Sequence, residues 1–129
     1  MIAHVQTLDG LAIVDLDEEI VLELDPSRTI EPVPTPALSL PRVLAAAQSG
    51  STIVAAVDTK PPLVVSHDGG RTWRDSGRGL PAGRAVAISP DDPDVVLYAA
   101  RNRLYLSRDG GRFWRSLAPE LPEIDAVSL

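Results

Sequence analysis

The residues in this sequence best suited to chemistry are its charged side chains. Cysteine is absent and the two histidines, His4 and His67, lie far apart in the chain, so no zinc-ligand cluster is expected. There is no glycine-rich phosphate loop and no nucleophile elbow. The sequence therefore predicts no catalytic residue, no metal site and no cofactor.

Arginine supplies most of the positive charge, and several arginines lie beside short loops. Guanidinium and ammonium groups hold the carboxylate or phosphate groups of ligands. The simpler interpretation is that these cations are solvated and pair with acidic residues of the same loops, namely Asp58, Glu120, Glu123 and Asp125. The candidates for ligand binding are Lys60, Arg84, Arg101 and Arg103.

Negative charge is concentrated at the start of the chain. The net charge is −6, and residues 1–40 alone carry −7, from eight acidic residues and Arg28. An acidic chain without a basic tract is a poor match for nucleic acid, whose phosphates must be neutralised by lysine and arginine. The longest apolar run, Val95 to Ala100, is far shorter than the ~20 residues of a membrane span. We expect neither nucleic acid nor membrane as a partner, and a cytoplasmic location, because Met1 to His4 lacks signal-peptide character.

Short apolar runs between turn-forming residues predict an all-β fold. Twelve prolines and nine glycines separate runs that are too short for helices and too apolar for loops. Arg42 to Gln48 has a helical composition, but it is brief and follows a proline, so we interpret it as a strand. The chain is also repetitive, because the octet Ser66 to Trp73 recurs 41 residues later as Ser107 to Trp114.

Each repeat unit is predicted to contain four strands, A to D. In one unit they are Arg84 to Ser89, Val95 to Ala100, Leu104 to Ser107 and Arg112 to Leu117, and in the unit before it they are Val43 to Gln48, Thr52 to Val57, Leu63 to Ser66 and Arg71 to Asp75. The runs Ile2 to Thr7, Leu11 to Asp15 and Ile20 to Leu24 supply strands B to D of a further unit. The predicted single domain therefore has strands B to D at 1–25, a proline-rich connector at 26–41, two full units at 42–80 and 81–120, and a last A strand at 121–129.

The repeated octet has the composition of a tight turn. Glycine reaches positive φ without steric cost, and an aspartate side chain accepts hydrogen bonds from turn N–H groups. The aspartates are therefore expected to be held by their own turns and not to bind Ca²⁺, for which a single turn offers too few oxygens. The two tryptophans offer large apolar faces to neighbouring units. The residues assigned this structural role are Ser66, Asp68, Gly70, Trp73, Ser107, Asp109, Gly111 and Trp114.

The pattern Ser-x-Asp-Gly-Gly-x-Thr-Trp resembles the Asp-box, or BNR repeat, of β-propellers in sialidases, sortilin-type receptors, xyloglucanases and a photosystem II assembly-factor family. The resemblance implies that each unit is a propeller blade and that the box lies on the C–D turn, away from the binding face. The second copy has Phe113 where threonine is usual, which removes a hydroxyl hydrogen bond. Sialidases also carry an arginine triad and a Phe/Tyr-Arg-Ile-Pro motif, and the nearest fragment, Pro41 to Leu44, lacks the aromatic residue and the second proline. Tyr98 and Tyr105 lie within strands and are expected to pack rather than to act as a sialidase nucleophile.

Three blades are too few to close a ring, because propellers typically have 4 to 8 blades. We therefore expect a homodimer with six blades, with a nine-bladed trimer as the alternative. Because the first and third blades would lie on opposite sides of a half-ring, residues 124–129 are expected to complete the first blade of the other copy by a strand swap. The expected function is a non-catalytic scaffold that binds a protein or a glycan on its loop face. The alternative is a reduced, sialidase-like glycoside hydrolase with a site on the axis.

Overall fold

The computed structural model describes all 129 residues, and they form an all-β fold, which confirms the fold class predicted from the apolar runs. Three four-stranded antiparallel sheets are arranged as propeller-like blades, and no helix is present that could traverse a bilayer. The strands are β1 (Ile2–Thr7), β2 (Gly10–Asp15), β3 (Ile20–Asp25), β4 (Val43–Ser49), β5 (Thr52–Val57), β6 (Leu63–Ser66), β7 (Arg74–Ser76), β8 (Gly83–Ile88), β9 (Val96–Ala100), β10 (Arg103–Ser107), β11 (Arg115–Glu120) and β12 (Ile124–Ser128). Blade 1 contains β12, β1, β2 and β3 in that order, blade 2 contains β4 to β7, and blade 3 contains β8 to β11.

The outer strands of blades 2 and 3 begin later than the sequence predicts. β7 starts at Arg74 and β11 at Arg115, whereas strands were expected from Arg71 and Arg112. The physical reason is that the last residues of the octet still belong to the turn. The backbone N–H groups of residues 71 and 112 are directed to the aspartates of their own turns, and so they cannot join a strand ladder.

The C-terminal strand corrects the expected strand swap. β12 pairs antiparallel with β1 of the same chain, with Val5 opposite Val127 and His4 opposite Ser128. The expectation that residues 124–129 cannot complete the first blade of their own chain is therefore wrong. It assumed that blade 1 precedes blade 2 in space, but residues 26–42 could span roughly 55 Å when extended, which allows blade 1 to lie beyond blade 3.

The spatial order of the blades is thus 2, 3, 1, and an apolar core fills each of the two seams. The core between blades 2 and 3 includes Val54, Leu63 and Tyr98, and the core between blades 3 and 1 includes Leu97 and Val14. Successive residues of a strand point to opposite faces of its sheet. The middle blade therefore needs apolar residues at consecutive positions, and all of β9 is buried.

Tyr98 packs in the core of the seam between blades 2 and 3 and is also held by a hydrogen bond. Its side chain is fully buried, as expected from its place in a strand, and its hydroxyl donates to the backbone oxygen of Pro81 at 2.8 Å. Burial and the nearby Tyr105 raise the pKa of Tyr98 to about 12. A Cβ on Gly83 would lie 2.5 Å from the Tyr98 ring, so only glycine allows β8 to pass this side chain.

The three innermost strands run side by side along the inner edge of the arc. β8 lies between β4 and β12 and contacts both. The B–C and D–A connections emerge at one end of these strands, which we call the loop face, and the octets lie at the opposite end, which we call the turn face. The segment between β3 and β4 crosses the open side of the arc, where the backbone N–H of Ile30 donates to the Oε1 of Gln6 at 2.8 Å.

Candidate functional site

The octet of blade 2 is a closed hydrogen-bond system around one carboxylate. The Oδ1 of Asp68 accepts from the backbone N–H groups of Arg71 and Thr72 at 3.0 and 2.9 Å and from the Ser66 hydroxyl at 2.8 Å. The Thr72 hydroxyl donates to the Oδ2 at 2.6 Å. The hydroxyl and backbone donors of Thr72, followed by the Ser66 hydroxyl, hold the pKa of Asp68 far below its usual range.

The octet of blade 3 repeats this system without one donor. The Oδ1 of Asp109 accepts from the backbone N–H groups of Phe113 and Arg112 at 3.0 and 3.1 Å and from the Ser107 hydroxyl at 2.8 Å. Phe113 has no hydroxyl for the Oδ2. The backbone N–H of Phe113 is the main cause of a lowered pKa of Asp109. Both aspartates thus have their hydrogen-bonding capacity taken up largely by their own turns, as the sequence predicts.

The two tryptophans occupy equivalent positions in different surroundings. The Nε1–H of Trp114 donates to the Ser76 hydroxyl of the neighbouring blade 2 at 3.0 Å and to the backbone oxygen of Gly111 at 3.2 Å. The Nε1–H of Trp73 donates only to the backbone oxygen of Gly70 in its own turn, at 3.1 Å. Trp114 therefore ties two blades together, whereas Trp73 lies at an open blade face with no neighbour.

Blade 1 has no octet, and acidic residues connect its C–D turn to blade 3 instead. The Oε1 of Glu19 accepts from the backbone N–H of Ala118 at 2.9 Å, and its Oε2 pairs with Arg115. The Oδ1 of Asp17 accepts from the Nη2 of Arg108 at 2.6 Å. Two ion pairs thus occupy the rim of this seam, where the other seam has a tryptophan.

The ligand-binding candidates of the loop face are brought together only in part. Arg84 and Arg101 both approach the Oε1 of Glu123, each at 3.6 Å. Arg103 pairs with the Oε1 of Glu120 at 2.8 Å. Lys60 belongs to blade 2 and forms no ion pair. Two carboxylates therefore pair with the three arginines, and this pairing is the simpler interpretation drawn from the sequence.

A groove of about 400 Å³ lies on the axial side of the arc. The innermost strands form one wall and residues 30–35 form the other, and most of the lining side chains are apolar. Its polar groups include Arg84, Glu31 and Asp125. This groove is the place at which the alternative prediction puts a glycosidase site.

A second cleft was not predicted from the sequence. It has a volume of about 300 Å³, lies at the outer rim between blades 2 and 3, and is lined by Arg74, Arg78 and Arg112. Arg74 and Ser76 share one face of β7 because they are two residues apart in a strand, and Arg78 follows in the turn after β7. The sequence does not show that Arg112 of the next blade lies close to these residues.

The chain matches no known protein family. No protein-family model matches it, and no curated protein matches it either. Among solved structures, the chain is similar to a GH74 enzyme of Niastella koreensis, with 23% sequence identity and a TM-score of 0.48. The match covers 88% of this chain but only 17% of the enzyme chain.

Proposed function

We propose that the chain is one half of a six-bladed β-propeller that forms from two copies, and that the octets are Asp-boxes. The proposed role is a non-catalytic scaffold. The observation that carries this proposal is that two blade faces have no blade packed against them, and that one of them is equivalent to a face already packed inside the chain. We call the side of a blade that faces onward in the order 2, 3, 1 its front face, and the other side its back face.

The back face of blade 2 has no blade packed against it in the chain, and it is equivalent to a packed back face. Ala55, Val64 and Trp73 lie 41 residues before Val96, Tyr105 and Trp114, respectively. The later three belong to the core between blades 2 and 3, where they meet the front face of blade 2. The same packing of a back face against a front face would cover Trp73 if another blade stood before blade 2.

The front face of blade 1 is the surface that the back face of blade 2 would meet. Ile2 lies opposite Asp15 and Asp15 opposite Ile20, so these three side chains form a row on one face. Ile2 and Ile20 are 42% and 48% exposed. The segment around Ile30 lies beside Gln6, His4 and Leu11, so the row of Ile2, Asp15 and Ile20 at the other end remains free to pack.

Blade number limits the assembly to two copies. Three blades per chain give six blades in a dimer and nine in a trimer, and propellers typically have 4 to 8. In a two-fold dimer the front face of blade 1 would meet the back face of blade 2 of the second copy, at two equivalent seams. No strand needs to be exchanged, because β12 already completes blade 1.

The mass of the protein in solution tests the assembly. Native mass measurement at micromolar concentration should give twice 13.8 kDa. Ile20→Glu places a charge in the proposed seam and should give monomers, whereas Phe113→Glu should leave the dimer intact, because Phe113 is 79% exposed on a C–D turn outside both open faces. A folded wild-type monomer, or equal loss of dimer in the two variants, would contradict the proposal.

The loop face is the proposed binding surface for a protein or a glycan. Two copies would place Lys60, Arg84, Arg101 and Arg103 twice around one axis, which suits a symmetric or repetitive ligand. A glycan array with the purified protein tests this part of the proposal. Binding that is weakened by Lys60→Gln supports it, whereas hydrolysis of a glycoside would favour the alternative, a reduced glycoside hydrolase that uses the axial groove.

A further inference from the structure

We propose that the cleft at the outer rim between blades 2 and 3 is a binding site for a tetrahedral oxyanion, a phosphate or sulfate group. Arg74 and Arg78 line one side and Arg112 lines the other, and Asp75 is the only acidic residue in the lining. The cleft lies within a single chain. It is therefore independent of the assembly proposed above.

The three arginines of the cleft are free of carboxylate partners. Five other arginines of the chain form ion pairs with acidic side chains, and these are Arg84, Arg101, Arg103, Arg108 and Arg115. None of the guanidinium groups of Arg74, Arg78 and Arg112 makes an ion pair or a side-chain hydrogen bond. Their donors are therefore available to a ligand.

The two sides of the cleft are held together by contacts between the blades. The Ser76 hydroxyl donates to the backbone oxygen of Gly111 and accepts from the Nε1–H of Trp114. A Cβ on Gly111 would lie 3.1 Å from Val65 and 3.2 Å from the Ser76 hydroxyl, so a side chain there would crowd the floor. The positions of the arginines are thus set by a fixed backbone, which reduces the entropy lost on binding.

The chemistry of the cleft favours a compact anion. Guanidinium groups donate in pairs to the oxygens of phosphate and sulfate, and three of them can approach different edges of one tetrahedron. A long polyanion is disfavoured, because residues 1–40 carry −7 on the same molecule. The proposed ligand is therefore a single phosphate or sulfate group, free or attached to a larger molecule.

Titration of ¹⁵N-labelled protein with inorganic phosphate and with inorganic sulfate, at constant ionic strength, tests the site. The Nε–Hε signals of Arg74, Arg78 and Arg112 should shift and saturate with at least one anion, and the two arms show which anion is preferred. Arg112→Gln should weaken binding about tenfold, which corresponds to the loss of one charge-assisted contact. Arg28→Gln is the matched control, because Arg28 is exposed, forms no ion pair and belongs neither to the cleft nor to the loop-face candidates, and it should leave the affinity unchanged.

The same titration can overturn the site. Shifts that stay linear, or that are as large at Arg28 as in the cleft, would show charge screening instead of binding. Equal weakening by Arg112→Gln and Arg28→Gln would also show screening instead of binding. Because all three arginines are exposed, the fold should survive each substitution, and circular dichroism verifies this.

Discussion

At the scale of single residues, Asp68 and Asp109 occupy equivalent turns but accept different numbers of hydrogen bonds. Both use the Oδ1 for two backbone N–H groups and a serine hydroxyl, and only Asp68 has a threonine hydroxyl at the Oδ2. Phe113 replaces that threonine and is 79% exposed, so its ring adds little to the core. The turn backbone persists without the threonine hydroxyl, which shows that the backbone N–H groups and the serine hydroxyl are sufficient to form it.

Phe113→Thr should restore the missing bond. The new hydroxyl can donate to the Oδ2 of Asp109, which should lower the pKa of Asp109 further and stabilise the fold by about 0.5 kcal/mol, a value already reduced for solvent screening. This corresponds to a rise of about 2 °C in Tm. Carboxyl NMR titration and thermal unfolding measure the two effects.

The stability gained in Phe113→Thr should depend on pH. The pKa of Asp109 is lower in the folded state than in the unfolded state. The stability that comes from hydrogen bonds to its charged carboxylate is therefore present above the unfolded pKa and is lost as the pH falls through the folded pKa. Phe113→Val has the shape of threonine without the hydroxyl and serves as the control. A gain of equal size in Phe113→Val would show that removal of the exposed ring, and not the hydrogen bond, is responsible.

At the scale of the strands and turns, the two seams are closed at the rim by different chemistry. Trp114 reaches Ser76 across the seam between blades 2 and 3, whereas Glu19 reaches Ala118 and Arg115 across the seam between blades 3 and 1. Glu19 has a φ of 55°, so its turn places the side chain across the seam at some conformational cost. The acidic C–D turn of blade 1 is thus a substitute for an octet.

Glu19→Ala should destabilise this seam by about 1 to 2 kcal/mol, because it leaves the Ala118 N–H and the Arg115 guanidinium without their shared acceptor. Urea unfolding measures the loss. Glu19→Gln keeps an oxygen for the N–H group and should lose less. Glu18→Ala, at an exposed neighbour that forms no ion pair, should be close to neutral, and if it costs as much as Glu19→Ala the assigned contact is not the cause.

Strand positions followed from the sequence, but their partners in space did not. β5 and β6 begin and end where the apolar runs do, because turn-forming residues bound both runs. The predicted partner of β12 was wrong. The alternation of side chains along a strand shows which residues share a face, but it does not show which strand lies beside them. The rim cleft was missed for a similar reason, since Arg112 joins Arg74 and Arg78 only through the packing of two blades.

At the scale of the whole molecule, sequence order and spatial order differ. The chain runs through blades 1, 2 and 3, but the blades are arranged as 2, 3, 1, and residues 26–42 return from one end of the arc to the other. Closing a long loop costs entropy that rises only slowly with its length. The long connection therefore adds only a small entropy cost. In return, β12 and β1 form an antiparallel ladder.

This arrangement predicts that the chain tolerates circular permutation. His4 lies opposite Ser128 in an antiparallel pair, so residues 1 and 129 are close enough to be joined by a short glycine-asparagine turn. New ends placed between Pro34 and Pro36 would give three successive A-to-D blades. The permuted chain should keep the circular dichroism spectrum of the parent and a free energy of unfolding within about 1 kcal/mol of it.

A second permutant distinguishes this expectation from general tolerance. It carries the same joint but has its new ends within β9, every residue of which is buried between the two seams, and it should not fold. If the first permutant also failed while the parent remained folded, β12 would have to pair with β1 of another molecule. The cis pairing on which the spatial order 2, 3, 1 depends would then be wrong.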